Sequence, residues 1–192
     1  MVILGAGPSL TAADVEAVRG RARVIAINRT FELAPWADVL YSADEKPFRW
    51  YWEHGLKDCP GLKYSLTNGV QKMGVTLLQR GLESGLSRDP HVLHTGKNSG
   101  YSAINLAVHL GASRILLLGY DMQRGPNGEE HCHADHPSRS TPRYELFQSF
   151  FPSLVEPLRE AGVSIVNCSR RTAIECFPRM DLEIAMRQAV AA

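Results

Sequence analysis

The chain has 192 residues, 44% of them hydrophobic, and its 21 Lys and Arg residues nearly balance its 20 Asp and Glu residues. This composition excludes an intrinsically disordered chain, and a net charge of +1 argues against a broadly basic protein that covers nucleic acid or an anionic membrane. No apolar run approaches the ~18 residues that a membrane-spanning helix needs. The four cysteines are scattered, as is typical of reduced cytosolic thiols, and the N-terminal run is interrupted by Gly and Pro, unlike a signal peptide. We therefore predict one cytoplasmic domain over residues 1–192.

Short apolar runs alternate with stretches of helical periodicity along the whole chain. We predict strands over residues 2–4, 24–27, 39–41, 62–65, 91–94, 115–118 and 163–166. We predict helices over residues 12–19, 47–54, 70–83, 99–110, 143–161 and 181–191. Several strands are apolar at consecutive positions, as expected when helices cover both faces of a parallel sheet. The alternation predicts an α/β fold, a single Rossmann-like domain with a doubly wound, mostly parallel sheet.

A glycine-rich turn, LGAGPSL, joins the first predicted strand to the first predicted helix. Gly5 and Gly7 permit a tight turn and close approach of a ligand, and N–H groups at a helix start favour an anion such as phosphate. The turn lacks the third glycine of the dinucleotide fingerprint and the GK[ST] of a P-loop. We predict phosphate or nucleotide binding here, the alternative being a βα turn that needs glycine only for its own geometry.

Polar residues stand at the ends of three further predicted strands. Asn28 ends the second strand, Ser42 and Asp44 follow the third, and Asp121 follows the strand over 115–118. Ligands bind at the carboxyl edge of a parallel sheet, so these side chains are candidate ligand contacts. We predict that Asn28 bonds a ribose or sugar hydroxyl and that Asp121 holds a hydroxyl or a metal, although Asn is also a common turn residue.

A second polar turn, TGKNSGY, repeats the order of strand, glycine-containing loop and helix. Asn98 or Ser99 is suited to cap the helix that follows, which would explain the residue choice without a ligand. The functional interpretation is a second set of N–H and hydroxyl donors at the same ligand, from Asn98, Ser99 and Gly100, with Thr95 in the pocket.

The order of four features in this chain resembles that in the bacterial sialyltransferases of glycosyltransferase family 42. These features are GAGPSL, Asn28, NSG and LG-x₃-ILLLGYDM. They also resemble the 6-hydroxymethylpterin diphosphokinase-like (MptE-like) proteins, which are often phage-encoded. The resemblance covers residues 1–177 and implies a transferase with a nucleotide-sugar donor resembling a CMP-sugar, a small hydroxyl-bearing acceptor and no required metal. By this resemblance the donor site comprises Gly5, Gly7, Pro8, Ser9, Asn28, Asn98, Ser99 and Gly100. An Asn on the third strand of the sialyltransferases is Ser42 here, with Asp44 nearby.

Two alternatives accompany this interpretation. A diphosphokinase of the MptE-like kind would use Mg²⁺, held by Asp121 or Asp44, to bridge ATP phosphates during transfer to a small alcohol. A nucleotide-binding protein without catalysis would use the same turns as a sensor or for sequestration. The sequence leaves the oligomeric state open, a homo-oligomer included.

An irregular stretch over residues 123–142 lies between a predicted strand and a predicted helix and has the length of a functional lid. By the resemblance, His136 in this stretch is the general base. Imidazole also suits that role near neutral pH, and Asp135 is a candidate orienting partner.

Residues 131–136 have the sequence HCHADH, which matches the H-x-H-x-D-H zinc-binding pattern of the metallo-β-lactamase superfamily. No histidine follows His136 to complete that pattern, and the strand–helix alternation does not fit that fold. A metal-dependent hydrolase is therefore the least favoured function. A locally held metal stays an alternative, with His131, Cys132, His133, Asp135 and Asp121 as the candidate ligands.

Overall fold

The computed structural model describes residues 1–133 and 141–188. The strands are β1 (Val2–Leu4), β2 (Val24–Ile27), β3 (Val39–Ser42), β4 (Leu62–Ser65), β5 (Thr76–Leu77), β6 (Gln79–Arg80), β7 (Val92–Leu93), β8 (Arg114–Leu118) and β9 (Ser164–Asn167). The α-helices are α1 (Ala12–Val18), α2 (Glu45–Tyr51), α3 (Ser99–His109), α4 (Tyr144–Phe150), α5 (Val155–Glu160) and α6 (Leu182–Gln188). In these residues no helix combines the length and the apolar character required to cross a membrane.

Seven strands form one sheet in the order β5-β4-β3-β2-β1-β8-β9, and every pairing in it is parallel. β1 lies between β2 and β8, so the chain builds outward from β1 first in one direction and then in the other. This reversal is a topological switch point, where the loops at the carboxyl ends of adjacent strands diverge and leave a crevice. The strands β6 and β7 form a separate parallel pair.

Both faces of the sheet are covered, because alternate strand residues feed two different clusters of buried side chains. In β1, Val2 and Leu4 belong to one cluster with residues of α1, α2 and α6. Ile3 belongs to the other cluster, with residues of α3 and α5. The predicted single α/β domain of Rossmann-like type is therefore confirmed.

The prediction of a helix over residues 70–83 is wrong. Its start is only a 3₁₀ turn, Gln71–Met73, and the chain then forms β5 and β6. Gly69 and Gly74 flank that turn with positive φ angles of 98° and 72°, a left-handed conformation that ends helical winding. Pairing of β5 with β4 then extends the main sheet, so tertiary hydrogen bonding replaces the local helical pattern.

Two other predicted elements are shorter or interrupted. The helix predicted over 143–161 is divided into α4 and α5 by a 3₁₀ segment, Phe151–Leu154, which carries Pro152 in its first turn. Proline has no N–H to continue an α-helical ladder, which accounts for the break. The strand predicted over 91–94 is reduced to β7 and pairs with β6 outside the main sheet.

The last predicted helix, over 181–191, is described only in part. α6 covers Leu182–Gln188, and the rest of that predicted helix lies largely outside the described residues.

Candidate functional site

A cleft of about 160 Å³ opens at the carboxyl edge of the sheet, above the switch point. It lies among the segments that follow β1, β2 and β8 and the start of α3. The predicted site residues that line it are Gly5, Gly7, Asn28, Asn98, Ser99, Gly100 and His131. Turns that are far apart in sequence, predicted separately from their residue types, thus contribute to one cleft.

Gly5 and Gly7 are required by the packing of the first turn against the segment after β8. A Cβ atom on Gly5 would lie 2.5 Å from the carbonyl oxygen of Gly119, and a Cβ on Gly7 would lie 2.5 Å from the same oxygen. The two backbones are also bonded, since Gly5 N–H donates to Leu118 O at 2.7 Å and Gly7 N–H to Gly119 O at 2.8 Å. Close approach of two loops therefore explains both glycines before any ligand is considered.

The carboxylate of Asp121 accepts hydrogen bonds from one residue of the first turn, Ser9. Ser9 donates to it twice, from the backbone N–H at 2.8 Å and from Oγ at 2.7 Å. A second carboxylate, that of Asp14, accepts from Thr11 N–H and completes a capping box at the start of α1. The N–H groups of Ser9 and Thr11, two of the candidate phosphate donors, are thus bonded to acidic side chains of the chain itself.

Asp121 is almost fully buried, with 1% of its surface exposed. Burial raises the pKa of its carboxyl group above the usual value, and the two hydrogen bonds from Ser9 oppose this shift. Asp121 does not line the cleft but stands behind the first turn and fixes its position relative to β8.

The start of α3 presents backbone donors to the cleft. Asn98 caps the helix, which is one of the two caps that the sequence suggested. Its Oδ1 accepts from Tyr101 N–H at 2.8 Å. Within residues 1–133 and 141–188, the N–H groups of Ser99 and Gly100 have no protein acceptor. They lie at the positive end of an 11-residue helix, which favours an anionic ligand group.

Asn28 lies beside this helix start in a strained conformation. Its φ angle of 55° is in the left-handed region, which Asn tolerates better than most non-glycine residues. Ser99 Oγ approaches Asn28 Oδ1 at 3.5 Å and accepts from Ala43 N–H at 3.2 Å. Met122, another lining residue, and Lys97, next to Asn98, also have positive φ angles. Strained residues of this kind cluster at ligand sites in many proteins.

The other predicted pocket residues lie outside the cleft lining. Ser42 is buried, and its Oγ accepts from Asp44 N–H at 3.1 Å, while Asp44 itself is exposed at the start of α2. Thr95 is buried and its carbonyl accepts from Asn98 N–H at 3.0 Å, so it shapes the second turn. Pro8 is half-buried in the first turn beside Gly125.

The described part of the 123–142 stretch folds back onto the first turn. Cys132 N–H donates to Ala6 O at 3.0 Å, and this contact places His131 at the cleft. The rings of His131 and His133 are stacked, with centroids 4.9 Å apart. His136 and Asp135, the predicted base and its partner, lie outside the described residues.

Comparison of the chain with protein-family models, curated proteins and solved structures finds no match. The resemblance to family 42 sialyltransferases and to the MptE-like proteins therefore stays a prediction.

In residues 1–133 and 141–188, no three His, Cys, Asp or Glu side chains are grouped closely enough to hold a metal ion. Asp121, a candidate ligand in two of the alternatives, is instead bonded to Ser9. Burial raises the pKa of the Cys132 thiol to about 11, which disfavours the thiolate that a metal would require. Asp135 lies outside the described residues, so the local metal site stays a prediction.

Two aromatic residues of the cleft were missed by the sequence analysis. Tyr144 and Phe147 lie one turn apart on α4 and both line the cleft with the preceding Pro142. Their spacing of three residues, which places them on one face of a helix, was visible in the sequence, but the prediction there went no further than one helix over residues 143–161.

Proposed function

We propose that this protein is a nucleotide-binding transferase that moves a glycosyl group from a nucleotide-sugar donor to a hydroxyl-bearing acceptor. The observation that supports it is the cleft at the switch point, where Asn28 and the Asn98–Gly100 turn come together. Parallel α/β sheets bind nucleotides at such points. The family resemblance supplies the more specific element, a donor that resembles a CMP-sugar.

In this proposal the donor phosphate lies at the start of α3. The N–H groups of Ser99 and Gly100 and the helix dipole would hold the negative charge, so no excess of Lys or Arg is required. The side-chain amide of Asn28, which borders the same cleft, would bond a ribose or sugar hydroxyl. The two donors of Ser9 in the first turn would not contact the donor molecule, because they are bonded to Asp121.

The reaction would be an inverting displacement. A histidine takes the proton of the acceptor hydroxyl, the acceptor oxygen forms a bond to the anomeric carbon, and the bond from that carbon to the nucleotide phosphate breaks. The nucleotide leaves with the bonding electron pair, and the charge on its phosphate is stabilised at the start of α3. His136 is the predicted base, and His131 is the histidine that lines the cleft in the described residues.

The test is a turnover assay with CMP-sugars and UDP-sugars in EDTA, beside ATP with Mg²⁺. We expect release of CMP without metal, a loss of about 10²- to 10⁴-fold in kcat in His136→Ala, and little change in the exposed control His91→Ala. A parallel His131→Ala variant tests whether the lining histidine takes the proton instead. Turnover that strictly requires Mg²⁺ and ATP would overturn the glycosyl transfer proposal and favour a diphosphokinase.

A further inference from the structure

The lining of the cleft contains two chemically distinct sets of residues. One set is made of glycines, Gly5, Gly7, Gly100 and Gly119, which present bare backbone to the cleft. The other set is aromatic and comes from α4, with Tyr144 and Phe147. The glycines are required by packing within the protein, since a Cβ on Gly5, Gly7 or Gly119 would meet backbone atoms of the facing loop, whereas aromatic rings offer a flat apolar surface to a ligand.

The aromatic residues of this region divide into a core group and a cleft group. Phe150 and Phe151 belong to the core, with ring centroids 6.4 Å and 5.7 Å from that of Tyr101. By contrast, among the described residues neither Tyr144 nor Phe147 joins a core cluster or packs against another aromatic ring. Tyr144 is held from its hydroxyl end, because its OH donates to Glu130 O at 3.3 Å.

We propose that Tyr144 and Phe147 form the stacking surface for the nucleobase of the donor. This inference rests on the proposed function and adds the orientation of the ligand: phosphate at the start of α3, base against α4. Both residues are half-buried, lie outside the core clusters and line the cleft, a position that suits stacking on a planar heteroaromatic group.

The test compares ligands with and without a base by calorimetry, using CMP and ribose 5-phosphate. Loss of one stacking partner weakens nucleotide binding by about 5- to 150-fold, so we expect Phe147→Ala to weaken CMP binding to this extent. Ribose 5-phosphate binding should stay unchanged in the same variant. The matched control is Leu146→Ala, on the same helix but not in the cleft lining, which should bind both ligands like the wild type.

A second variant preserves the stacking and reports on it. Phe147→Trp should restore CMP binding, and its fluorescence should be quenched by CMP beyond the small change that Trp36, Trp50 and Trp52 give in the wild type. Two outcomes would overturn the stacking surface alone. In one, the wild type binds CMP and Phe147→Ala binds it equally well; in the other, Phe147→Ala weakens the binding of CMP and of ribose 5-phosphate equally. A wild type that binds neither ligand would overturn the proposed function, and the stacking surface with it.

Discussion

The carboxylate of Asp121 accepts two hydrogen bonds from Ser9, at 2.8 Å from the backbone N–H and at 2.7 Å from Oγ. The two residues are 112 positions apart and belong to the segments after β1 and β8, the neighbouring strands at the switch point. The chain thus places its own anion where the sequence predicted a phosphate. The two donors of Ser9 are therefore not open to a ligand, whereas the N–H groups of Ser99 and Gly100 at the start of α3 have no acceptor among the described residues.

The contribution of this contact to stability can be measured directly. In Asp121→Asn, one of the two acceptor positions becomes an amide donor that faces a donor of Ser9. We expect a loss of about 1.5–3 kcal/mol in the free energy of unfolding, since hydrogen bonds to charged groups contribute about this much. The measurement is urea denaturation of this variant and of the control Asp44→Asn, which changes an exposed carboxylate. For the control we expect the free energy of unfolding to change by no more than about 0.5 kcal/mol. Equal losses in the two variants would show that the Ser9 contact contributes nothing.

The raised pKa of Asp121 gives its contribution a definite pH dependence. In the unfolded chain the carboxyl titrates near its usual value of 3.8, whereas burial raises the pKa in the folded state. Between the two pKa values the folded state binds more protons, so the stability that Asp121 contributes falls as the pH rises through this window. The wild-type minus Asp121→Asn difference in unfolding free energy should decrease from about pH 3 upward and then become constant. A difference that increases over the same range would mean that the hydrogen bonds from Ser9 outweigh burial.

Gly7 tests the close approach of the two loops. In Gly7→Ala the new Cβ would meet the carbonyl oxygen of Gly119 and the carboxylate of Asp121, so one loop must shift, at about 1–3 kcal/mol. Gly20→Ala is the control: its φ of 69° costs about 1–2 kcal/mol in a non-glycine residue, but no atom lies within 4 Å of the new methyl group. Both variants should lose stability, and only Gly7→Ala should weaken CMP binding. Weaker binding in both would indicate a general effect of lower stability.

Asn28 should show opposite effects on stability and on binding. Its φ of 55° suits glycine better, so Asn28→Gly relieves backbone strain while removing the side-chain amide from the cleft. We expect a melting temperature equal to or above that of the wild type, with CMP binding weakened about tenfold, as for one lost hydrogen bond to a ligand. Asn28→Ala should bind as weakly and also melt lower. Unchanged binding in Asn28→Gly would mean that this residue serves only the turn.

The fold was largely predictable because its signal is local. Strands such as Val24–Ile27 are apolar at every position and fully buried, which identifies them as central strands of a covered parallel sheet. The error over residues 70–83 arose where the backbone conformation of Gly69 and Gly74 and the pairing of β5 with β4 decided the structure. Neither is visible in hydrophobic periodicity.

The site was predictable in its turns but not in its contacts. Asn28, Asn98 and Gly100 follow strands or begin a helix, so their convergence follows from the parallel topology. The pairing of Ser9 with Asp121 depends on β1 and β8 being neighbours, which requires the strand order. Likewise, the position of Phe147 at the cleft depends on where the α4 segment breaks, and the sequence suggested one continuous helix.

A nucleotide site at the start of α3 is tested most directly by a CMP titration followed by backbone amide NMR of the whole chain in EDTA. We expect saturable shifts that are largest at Ser99 and Gly100, with smaller shifts at Ala6 and Asn28. Shifts centred elsewhere, such as the groove beside Arg170 and Arg179, or no saturable shift with any nucleotide, would contradict it.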